Sequence, residues 1–594
     1  MNNYELYIDG ALMELDSKFG FPLVYSSPIF TDISKIVSNG TYTVKLPKTA
    51  NNRCAIDNCQ MPDNVTPYPY KLHSTDLWKN GIPIIQKGTM VLLEIGEYIE
   101  IAIIWGNGNI TEVLGNQKLR YMWGDYFVWW LSSGQDITSS NENGGFARSD
   151  FGQGTRNYHY QHPFVSYNWL LNRISNVCGL SFVFPDNVLA EKEQLYIPLV
   201  EKNPNEETFS GNSIHFTIDT GLNIIPSTGN TGAIEVDGNS FKIKEDCELY
   251  FEGQWTFLYG GGFDNAIDFE MVLSINGDGA AHAITDASYE GGSYRGTINF
   301  NKEILSIGAN KGDVITYKLL ARRVGNIMVD IQSLHSSDGE LKVIPETQYV
   351  TYGSRYPIIP NLPDITCLEV LKNIMSLFGL FAYYDISQPN TIKLFSIDEI
   401  YERKSIAKDW TDKLISGNNL DSIKYTFQDY AQENYIRYLK DDSVRVNADG
   451  SIKMENETLE KEKDIVELKF AASEMRSGLI HIPLYTRERD GEIVYNKSSN
   501  RIAKMDIGAT SSTATFPDTL FFSGENGIIK RRYSKYQEIL RRPKVVTGDF
   551  LLKELDLYNI DLITPIYLEQ TGRYYAIIDI KTGEEKSTCR LLQM

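Results

Sequence analysis

The sequence has few cysteines and none in a pattern typical of a metal or redox site. Six cysteines are spread over 594 residues. The closest two, Cys54 and Cys59, lack the two-residue spacing of a zinc knuckle or a redox pair. We therefore expect free thiols, as in proteins made in a reducing cytosol. We predict no metal site and no cofactor.

Long apolar runs are absent as well. No run approaches the ~20 apolar residues that a membrane-spanning helix needs. The first residues, MNNYELYIDG, contain no apolar stretch typical of a secretory signal. We therefore predict that the chain neither spans a membrane nor carries a secretion signal.

Positive charge is in short supply. The chain has 57 Lys and Arg against 77 Asp and Glu, for a net charge of -20. Stable binding to a phosphate backbone needs concentrated basic residues, so we expect only transient contact with DNA. The segment from Lys530 to Lys544 is a basic exception. We interpret it as a charged subunit contact on a solvated helix in preference to a DNA-facing patch, because Tyr533, Tyr536 and Ile539 have helical spacing.

No catalytic motif is visible. The seven histidines form no zinc motif. His159 and His162 lie in a polar loop, where ordinary surface histidines are a more common interpretation than a metal pair. Gly260, Gly261 and Gly262 are not followed by the Lys-Ser or Lys-Thr of a phosphate-binding loop. We therefore predict that the protein is not an enzyme.

A weaker set of candidates lies near these glycines. Tyr259, Phe263 and Asp264 are candidate ligand-binding residues, because aromatic rings with a polar neighbour can stack on a sugar or a polypeptide. A glycan hydrolase needs two acids that flank one bond, and Asp264, Asp268 and Asp278 are the candidates for it. The sequence alone does not place two acids across a bond, so the hydrolase is the least favoured alternative.

Size and composition favour a β-rich protein of several units. A chain of 594 residues is too long for one hydrophobic core and suggests about three or four domains. Aromatic residues make up 12% of the chain, with 36 Tyr and 46 Gly, and these strand and turn formers favour β structure. We therefore predict a mainly β protein with a few helices, of the β-rich α+β class.

The clearest local pattern runs from Leu362 to Ile397. Thr366 and Glu369 have the spacing of a capping box, which predicts the start of a helix. Apolar residues then recur at three- and four-residue spacing, and Gly379 is typical of a helix end. The sequence therefore predicts a helix over 366–378 that is followed by two strands.

The same pattern occurs earlier in the chain. The segment Trp169–Phe184, WLLNRISNVCGLSFVF, aligns without a gap with Glu369–Tyr384, EVLKNIMSLFGLFAYY. This predicts a first helix over 166–178 that ends at Gly179. Either the two segments are an internal duplication, or each is an ordinary packed helix followed by a glycine and a buried strand. A duplication implies two related domains.

The segment between the two helices has a different character. Apolar residues alternate in IDFEMVLSING, which predicts a strand before a turn at Asn276 and Gly277. Several such strands without a helical pattern predict an inserted β-sandwich. The chain is then expected to enter and leave this insertion at adjacent points. The predicted domains are therefore 1–205, 206–343 and 344–594.

Three segments resemble phage tail proteins of the baseplate-hub or tail-tip kind found in phages of gut bacteria. They are VKLPKTANNR at Val44–Arg53, LKNIMSLFGLFAYYDISQPNTIKLFSIDEIYER at Leu371–Arg403, and the ending at Leu540–Ile578. The resemblance implies two related hub-type β-barrel domains per chain and a homotrimer that docks as a pseudo-sixfold ring on the tail tube. It also implies a structural virion protein, made in the host cytoplasm, which binds the tail tube and other tail-tip or baseplate proteins and forms the channel for DNA ejection.

The insertion resembles a jelly roll of the complement or tumour-necrosis-factor type, chiefly in NKGDVITYKL at Asn310–Leu319. This resemblance implies a module on the outside of the tail tip that touches a host glycan, a receptor or a neighbouring virion protein. The alternative to a structural hub is therefore a receptor- or glycan-binding tail adhesin, in which the insertion is the functional part.

Overall fold

A computed structural model gives the structure of most of the chain. The residues that it describes are 4–16, 21–27, 36, 38–106, 108–119, 128–130, 136–140, 142–153, 160–201, 204–205, 215–218, 224–228, 234–238, 240–244, 247–251, 254–260, 266–290, 293–299, 305–309, 312–323, 327–330, 336–339, 350–351, 355–358, 361–384, 390–415, 420–583 and 585–594.

The chain is mainly β with a few short helices, which confirms the predicted β-rich α+β class. The α-helices of the described residues are α1 (Ala50–Ala55), α2 (Gly108–Asn116), α3 (Tyr167–Cys178), α4 (Asp186–Glu193), α5 (Cys367–Phe378), α6 (Ile397–Glu402), α7 (Ile528–Arg532), α8 (Ser534–Arg541) and α9 (Glu554–Tyr558). The longest of them have 12 residues, short of the ~20 that a bilayer crossing needs.

The strands before residue 206 are β1 (Tyr4–Ile8), β2 (Ala11–Met13), β3 (Leu23–Ser26), β4 (Asn39–Thr41), β5 (Val44–Pro47), β6 (His73–Lys79), β7 (Ile82–Ile95), β8 (Tyr98–Trp105), β9 (Val128–Trp130), β10 (Gly144–Gly145), β11 (Phe164–Ser166), β12 (Ser181–Val183), β13 (Leu195–Pro198) and β14 (Pro204–Asn205). Those between residues 206 and 343 are β15 (His215–Ile218), β16 (Ile224–Thr228), β17 (Ile234–Asp237), β18 (Ser240–Ile243), β19 (Cys247–Phe251), β20 (Gln254–Gly260), β21 (Ala266–Ile275), β22 (Asp278–Glu290), β23 (Ser293–Asn299), β24 (Leu305–Ala309), β25 (Val314–Arg323), β26 (Ile327–Asp330) and β27 (Ser336–Gly339).

The strands after residue 343 are β28 (Val350–Thr351), β29 (Arg355–Pro357), β30 (Leu380–Tyr384), β31 (Thr391–Ser396), β32 (Lys408–Asp409), β33 (Ser422–Lys424), β34 (Glu433–Leu439), β35 (Gly450–Lys453), β36 (Glu462–Ala471), β37 (Glu474–Arg476), β38 (Leu479–His481), β39 (Tyr485–Arg487), β40 (Ile493–Tyr495), β41 (Ala503–Asp506), β42 (Thr513–Thr515), β43 (Val545–Phe550), β44 (Ile566–Leu568), β45 (Arg573–Thr582) and β46 (Ser587–Gln593).

The largest sheet joins the two ends of the chain. Its order is β2-β1-β6-β7-β8-β4-β3-β45-β46-β43-β33, and β3 lies beside β45 with Val24 opposite Lys581. β7 and β8 form a hairpin that turns at Gly96 and Glu97. Strands β1 to β8 and the last strands of the chain therefore form one continuous hydrogen-bonded surface.

Two clusters of buried apolar side chains also combine residues from the two ends of the chain. One combines side chains within 6–105 with Trp410 and side chains within 546–591. The other combines side chains within 114–200 with side chains within 358–592. Each cluster thus contains residues from both sides of the insertion. The predicted domain boundaries stay predictions.

The insertion begins and ends at one point of the fold. β14 and β28 pair in parallel, with Pro204 opposite Val350 and Asn205 opposite Thr351. Among the described residues, strands β15 to β27 pair only with one another, and all of their pairings are antiparallel. The predicted turn between β21 and β22 is confirmed, since Asn276 and Gly277 have φ values of 50° and 93°.

Helix α5 begins and ends where the sequence predicts. Thr366 Oγ1 accepts a hydrogen bond from Glu369 N at 3.2 Å, and the Glu369 carboxylate accepts one from Thr366 N at 2.9 Å. Gly379 ends the helix with a φ of 62°. Helix α3 has the same form, with Ser166 as its N-cap and Gly179 at a φ of 63°. Both helices therefore begin at a hydroxyl N-cap and end at a left-handed glycine.

The two terminal glycines provide a matched pair of substitutions. A Cβ on Gly379 would lie 2.7 Å from Arg532 O, whereas a Cβ on Gly179 would meet nothing within 4 Å. Both residues have left-handed backbone, which costs an alanine about 1–2 kcal/mol. We expect Gly179→Ala to lower the free energy of unfolding by this amount and Gly379→Ala to lower it by at least about 1 kcal/mol more, from the steric contact. Urea unfolding of the two variants measures the difference, and equal losses would contradict it.

Candidate functional site

The strand that follows α3 and the two strands that follow α5 form one small sheet. We call α3 with β12 the first repeated unit, and α5 with β30 and β31 the second. The order of this sheet is β12-β31-β30, so the strand after α3 lies beside a strand of the second unit. β12 and β31 are parallel, with Phe182 opposite Ile392, and β31 and β30 are antiparallel, with Leu394 opposite Ala382. Backbone hydrogen bonds therefore join the two units directly.

The helices of the two units also touch. The Tyr167 hydroxyl at the start of α3 donates a hydrogen bond to Val370 O of α5 at 2.7 Å. The thiols of Cys178 and Cys367 are hydrogen-bonded to each other. This contact and burial raise the pKa of the Cys367 thiol. The two cysteines form no disulfide, as is true of every cysteine whose side chain the structure describes. Two segments that are distant in sequence are thus in contact in the fold.

The basic segment 530–544 forms helices that cover this junction. Tyr533 and Tyr536 are buried, as the helical spacing predicts, and the Tyr533 hydroxyl donates to Ser376 O of α5 at 2.7 Å. The ring centroids of Phe381 in β30 and Tyr536 lie 5.9 Å apart. Helices α7 and α8 therefore attach to the second repeated unit through their apolar faces.

Arginines of the same segment form ion pairs within the chain. Arg531 and Arg532 lie 2.8 and 2.9 Å from the Glu191 carboxylate of α4. Arg541 and Arg542 both bind the carboxylate of Glu455. These four guanidinium groups share two carboxylates of the same chain, which offset half of their positive charge and weaken the segment as a patch for phosphates.

His162 is fully buried, so its interpretation as an ordinary surface histidine is wrong. Its Nδ1 lies 2.8 Å from Leu199 O, so it donates, and its Nε2 accepts from the Tyr485 hydroxyl at 2.8 Å. Burial lowers its pKa to about 4. Both ring nitrogens are therefore engaged by the protein. His159, its partner in the candidate metal pair, lies outside the described residues, within which no group of three metal-binding side chains was found.

A second histidine joins the same two segments of the chain. His481 Nδ1 lies 2.8 Å from the Asp150 carboxylate, and both side chains are largely shielded from solvent. Asp150 N also donates to Ile480 O at 3.0 Å. Because these partners are far apart along the chain, no local pattern in the sequence indicates them.

The structure places only part of the predicted ligand site. Tyr259 lies in β20 opposite Tyr294 of β23. Phe263 and Asp264 lie outside the described residues, as do Gly261 and Gly262. The proposed binding role of Tyr259, Phe263 and Asp264 therefore stays a prediction.

The register of the insertion separates two of the candidate hydrolase carboxylates. Asp268 lies near the start of β21, and Asp278 lies opposite Ile275 at its other end. The length of strand between these positions is about 23 Å. Paired glycosidase carboxyl groups lie about 5–9.5 Å apart. Asp268 and Asp278 are therefore not a glycosidase pair in this fold.

A polar cleft of about 620 Å³ lies beside β34. Arg437 at its rim lies 3.3 Å from the carboxylate of Asp449 and 2.5 Å from that of Asp464. Next to the cleft, the fully buried Arg501 binds the carboxylate of Asp441 at 2.5 Å. The guanidinium groups of Arg437 and Arg501 are therefore paired with carboxylates of the same chain.

Comparisons with known proteins give no family for the chain. No protein family and no curated protein matches it. Crystal structures of murine APRIL at pH 5.0, at pH 8.0 and at pH 8.5 match 22% of this chain and 98%, 97% and 98% of their own chains. Their sequence identities are 12%, 14% and 14%, with TM-scores of 0.16, 0.15 and 0.16. At these TM-scores the likeness assigns neither a fold nor a function to the chain.

The pKa of His162 predicts a loss of stability in acid. Burial lowers that pKa from 6.5 to about 4. Between these values the unfolded chain binds more protons than the folded chain, so the free energy of unfolding falls as the pH falls. We expect His162 to account for a loss of about 2 kcal/mol between pH 7 and pH 5. Urea unfolding at both pH values measures it.

Two variants isolate this effect. His162→Gln removes the titrating ring and is expected to remove about 2 kcal/mol of the pH dependence. Tyr485→Phe removes the hydroxyl partner but keeps the imidazole, so most of the pH dependence is expected to remain. An unchanged pH dependence in His162→Gln would contradict the assignment.

The ion pairs of the basic segment predict unequal effects for two glutamates. Arg532, which binds Glu191, is mostly buried, whereas Arg541 and Arg542, which bind Glu455, are exposed. We expect Glu191→Gln to lower the free energy of unfolding by about 1–2 kcal/mol and Glu455→Gln to lower it by less, because solvent screens the ion pairs of Glu455. Thermal unfolding at low and high salt measures both. A larger loss for Glu455→Gln would contradict the ranking.

Proposed function

We propose that the protein is a structural subunit of a phage tail. Three copies form a hub at the tail tip, close the tail tube and provide the channel for DNA ejection. The chain acts through its assembly with other proteins and not through catalysis. The sequence resemblance to hub and tail-tip proteins motivates this proposal.

The observation that carries the proposal is the repeated helix, glycine and strand. Helices α3 and α5 have the same length, equivalent N-caps and left-handed glycines at matching positions. A homotrimer of a chain with two such units would present six of them, which is the number needed to match a hexameric tube. The shared sheet of β12, β31 and β30 would fix the two units of one chain relative to each other.

The charge balance supports a channel through which DNA slides. The chain carries a net charge of -20, and four arginines of its most basic segment are paired with Glu191 and Glu455. A wall with this balance repels phosphates and does not hold them. DNA would pass without stable binding.

A tail adhesin is the second candidate function. The paired strands β14 and β28 make the insertion a segment that leaves and rejoins the fold at one point. Such a segment can change or bind a partner without disturbing the rest of the chain. In this function, the insertion would be an external jelly roll that binds a host receptor or glycan, with Tyr259, Phe263 and Asp264 as candidate contacts.

The experiment that tests the hub is imaging and co-purification of the full-length protein. Negative-stain images are expected to show a threefold ring with a central opening. Pull-down from phage-infected cells with the tagged protein is expected to recover the tail tube protein. A stable monomer without an opening and without tail proteins would contradict the proposal.

A deletion separates the two candidate functions. Asn205 and Val350 lie on adjacent paired strands, so a short Gly-Ser linker can replace residues 206–349. If tails assemble with this variant but no longer adsorb to the host, the insertion is the adhesin. If both assembly and adsorption are normal, the adhesin proposal fails.

A further inference from the structure

Two cysteines meet where the first repeated unit touches the second. Cys178 is the last residue of α3, and Cys367 is the first residue of α5. Both cysteines are free, and their thiols are hydrogen-bonded to each other. A disulfide requires two side chains whose sulfur atoms can reach each other. This pair meets that requirement, although its members are far apart along the chain.

Backbone contacts hold the two thiols in place. Cys367 N donates a hydrogen bond to Gln117 O at 2.8 Å. Just beyond Cys178, Leu180 N donates to Ser175 O at 3.0 Å. The pairing of β12 with β31 then fixes the end of α3 relative to the second repeated unit. Two groups that are held in contact in this way react with each other far faster than two groups that must meet in solution.

The two thiols differ in their access to solvent. The Cys367 side chain is fully buried. Cys178 is partly exposed, and the neighbouring Gly179 is exposed. A dissolved reagent can therefore reach Cys178 directly, whereas Cys367 is reached through Cys178.

The two thiols also differ in acidity. The hydrogen bond with Cys367 lowers the pKa of the Cys178 thiol. The same hydrogen bond, together with burial, raises the pKa of the Cys367 thiol. The thiolate is the form of cysteine that attacks a disulfide. Cys178 is thus suited to make the first attack, and Cys367 is suited to remain a thiol until that attack has occurred.

We propose that Cys178 and Cys367 are a redox-sensitive pair, which a small-molecule disulfide such as oxidised glutathione converts into a disulfide between the two repeated units. The Cys178 thiolate attacks one sulfur of the reagent, which forms a mixed disulfide and releases one glutathione thiolate. This thiolate takes the proton of the Cys367 thiol, whose sulfur attacks Cys178 Sγ and displaces the second glutathione thiolate. The two protein sulfurs are oxidised, and the two sulfurs of the reagent are reduced.

The disulfide would lock the contact between the two units. It would join residues on opposite sides of the insertion and close a loop that contains the whole insertion. A cross-link that closes a long loop removes much of the conformational freedom of the unfolded chain. Under reducing conditions the two units are held by hydrogen bonds and packing, and an oxidising environment adds a covalent bond. This inference does not depend on the proposed tail hub.

Peptide mapping of the folded, full-length protein tests the pair. After treatment with oxidised glutathione and alkylation of the remaining thiols, trypsin is expected to release peptides 174–192 and 356–372 joined by a disulfide. Dithiothreitol is expected to separate them. Cys54→Ser removes an exposed thiol elsewhere and is the matched control, with the same yield of the linked peptides. Peptides that stay separate in the wild type, with or without glutathione adducts, would overturn the inference.

Two substitutions separate the roles of the thiols. Cys367→Ser is expected to leave one glutathione on Cys178, because the thiol that displaces it is missing. Cys178→Ser is expected to leave Cys367 without an adduct, because that side chain is buried. An adduct on Cys367 but none on Cys178 would overturn the assigned order of attack. If a variant does not fold, the map of the wild type decides.

Urea unfolding of the oxidised and the reduced protein tests the lock. The oxidised wild type is expected to unfold at a higher urea concentration than the reduced wild type, because the cross-link constrains the unfolded chain. Cys178→Ser, treated in the same way, is expected to show no such shift. Linked peptides without a rise in the wild-type midpoint would overturn the lock. These results do not depend on the number of copies in the assembly, so they are distinct from a failure of the proposed trimer.

Discussion

The parallel pairing of β12 with β31 is the contact on which the rest of the structure depends. It joins the strand that follows α3 to a strand of the unit that contains α5, although the whole insertion lies between them along the chain. Closing so long a loop costs conformational entropy. The side-by-side strands β14 and β28 reduce this cost, because once the insertion has folded, its ends are already adjacent.

Side chains then fix the geometry that this pairing allows. The Tyr167 hydroxyl binds α5, and the Tyr533 hydroxyl binds the same helix near its end. Ion pairs of Glu191 with Arg531 and Arg532 attach the basic helices to α4. The most basic part of the chain is thus a structural element of the junction. The net charge of -20 disfavours stable binding to a phosphate backbone.

The sequence predicts features that depend on neighbouring residues. The capping box of Thr366 and Glu369, the end at Gly379 and the turn at Asn276 and Gly277 are each set by a few adjacent positions, and the structure has all of them. The matching form of α3 follows from the same local chemistry. These elements are correct because short-range hydrogen bonds and backbone preferences decide them.

The contacts that the sequence does not predict are long-range. The pairing of β3 with β45 and the hydrogen bond between His162 and Tyr485 join positions that are far apart along the chain. No local signal specifies such partners, because any buried strand or histidine has the same appearance in sequence. The candidate ligand residues Tyr259, Phe263 and Asp264 rest on residue type alone. Their role depends on three-dimensional placement that a composition does not contain.

We propose that the chain works as a ring of three copies in which the two repeated units alternate. The most direct measurement is the rotational symmetry of the purified full-length assembly in electron cryo-microscopy. We expect threefold symmetry with six helix, glycine and strand units around a central opening. A monomer, or a trimer in which the two kinds of unit lie at clearly different distances from the axis, would contradict it.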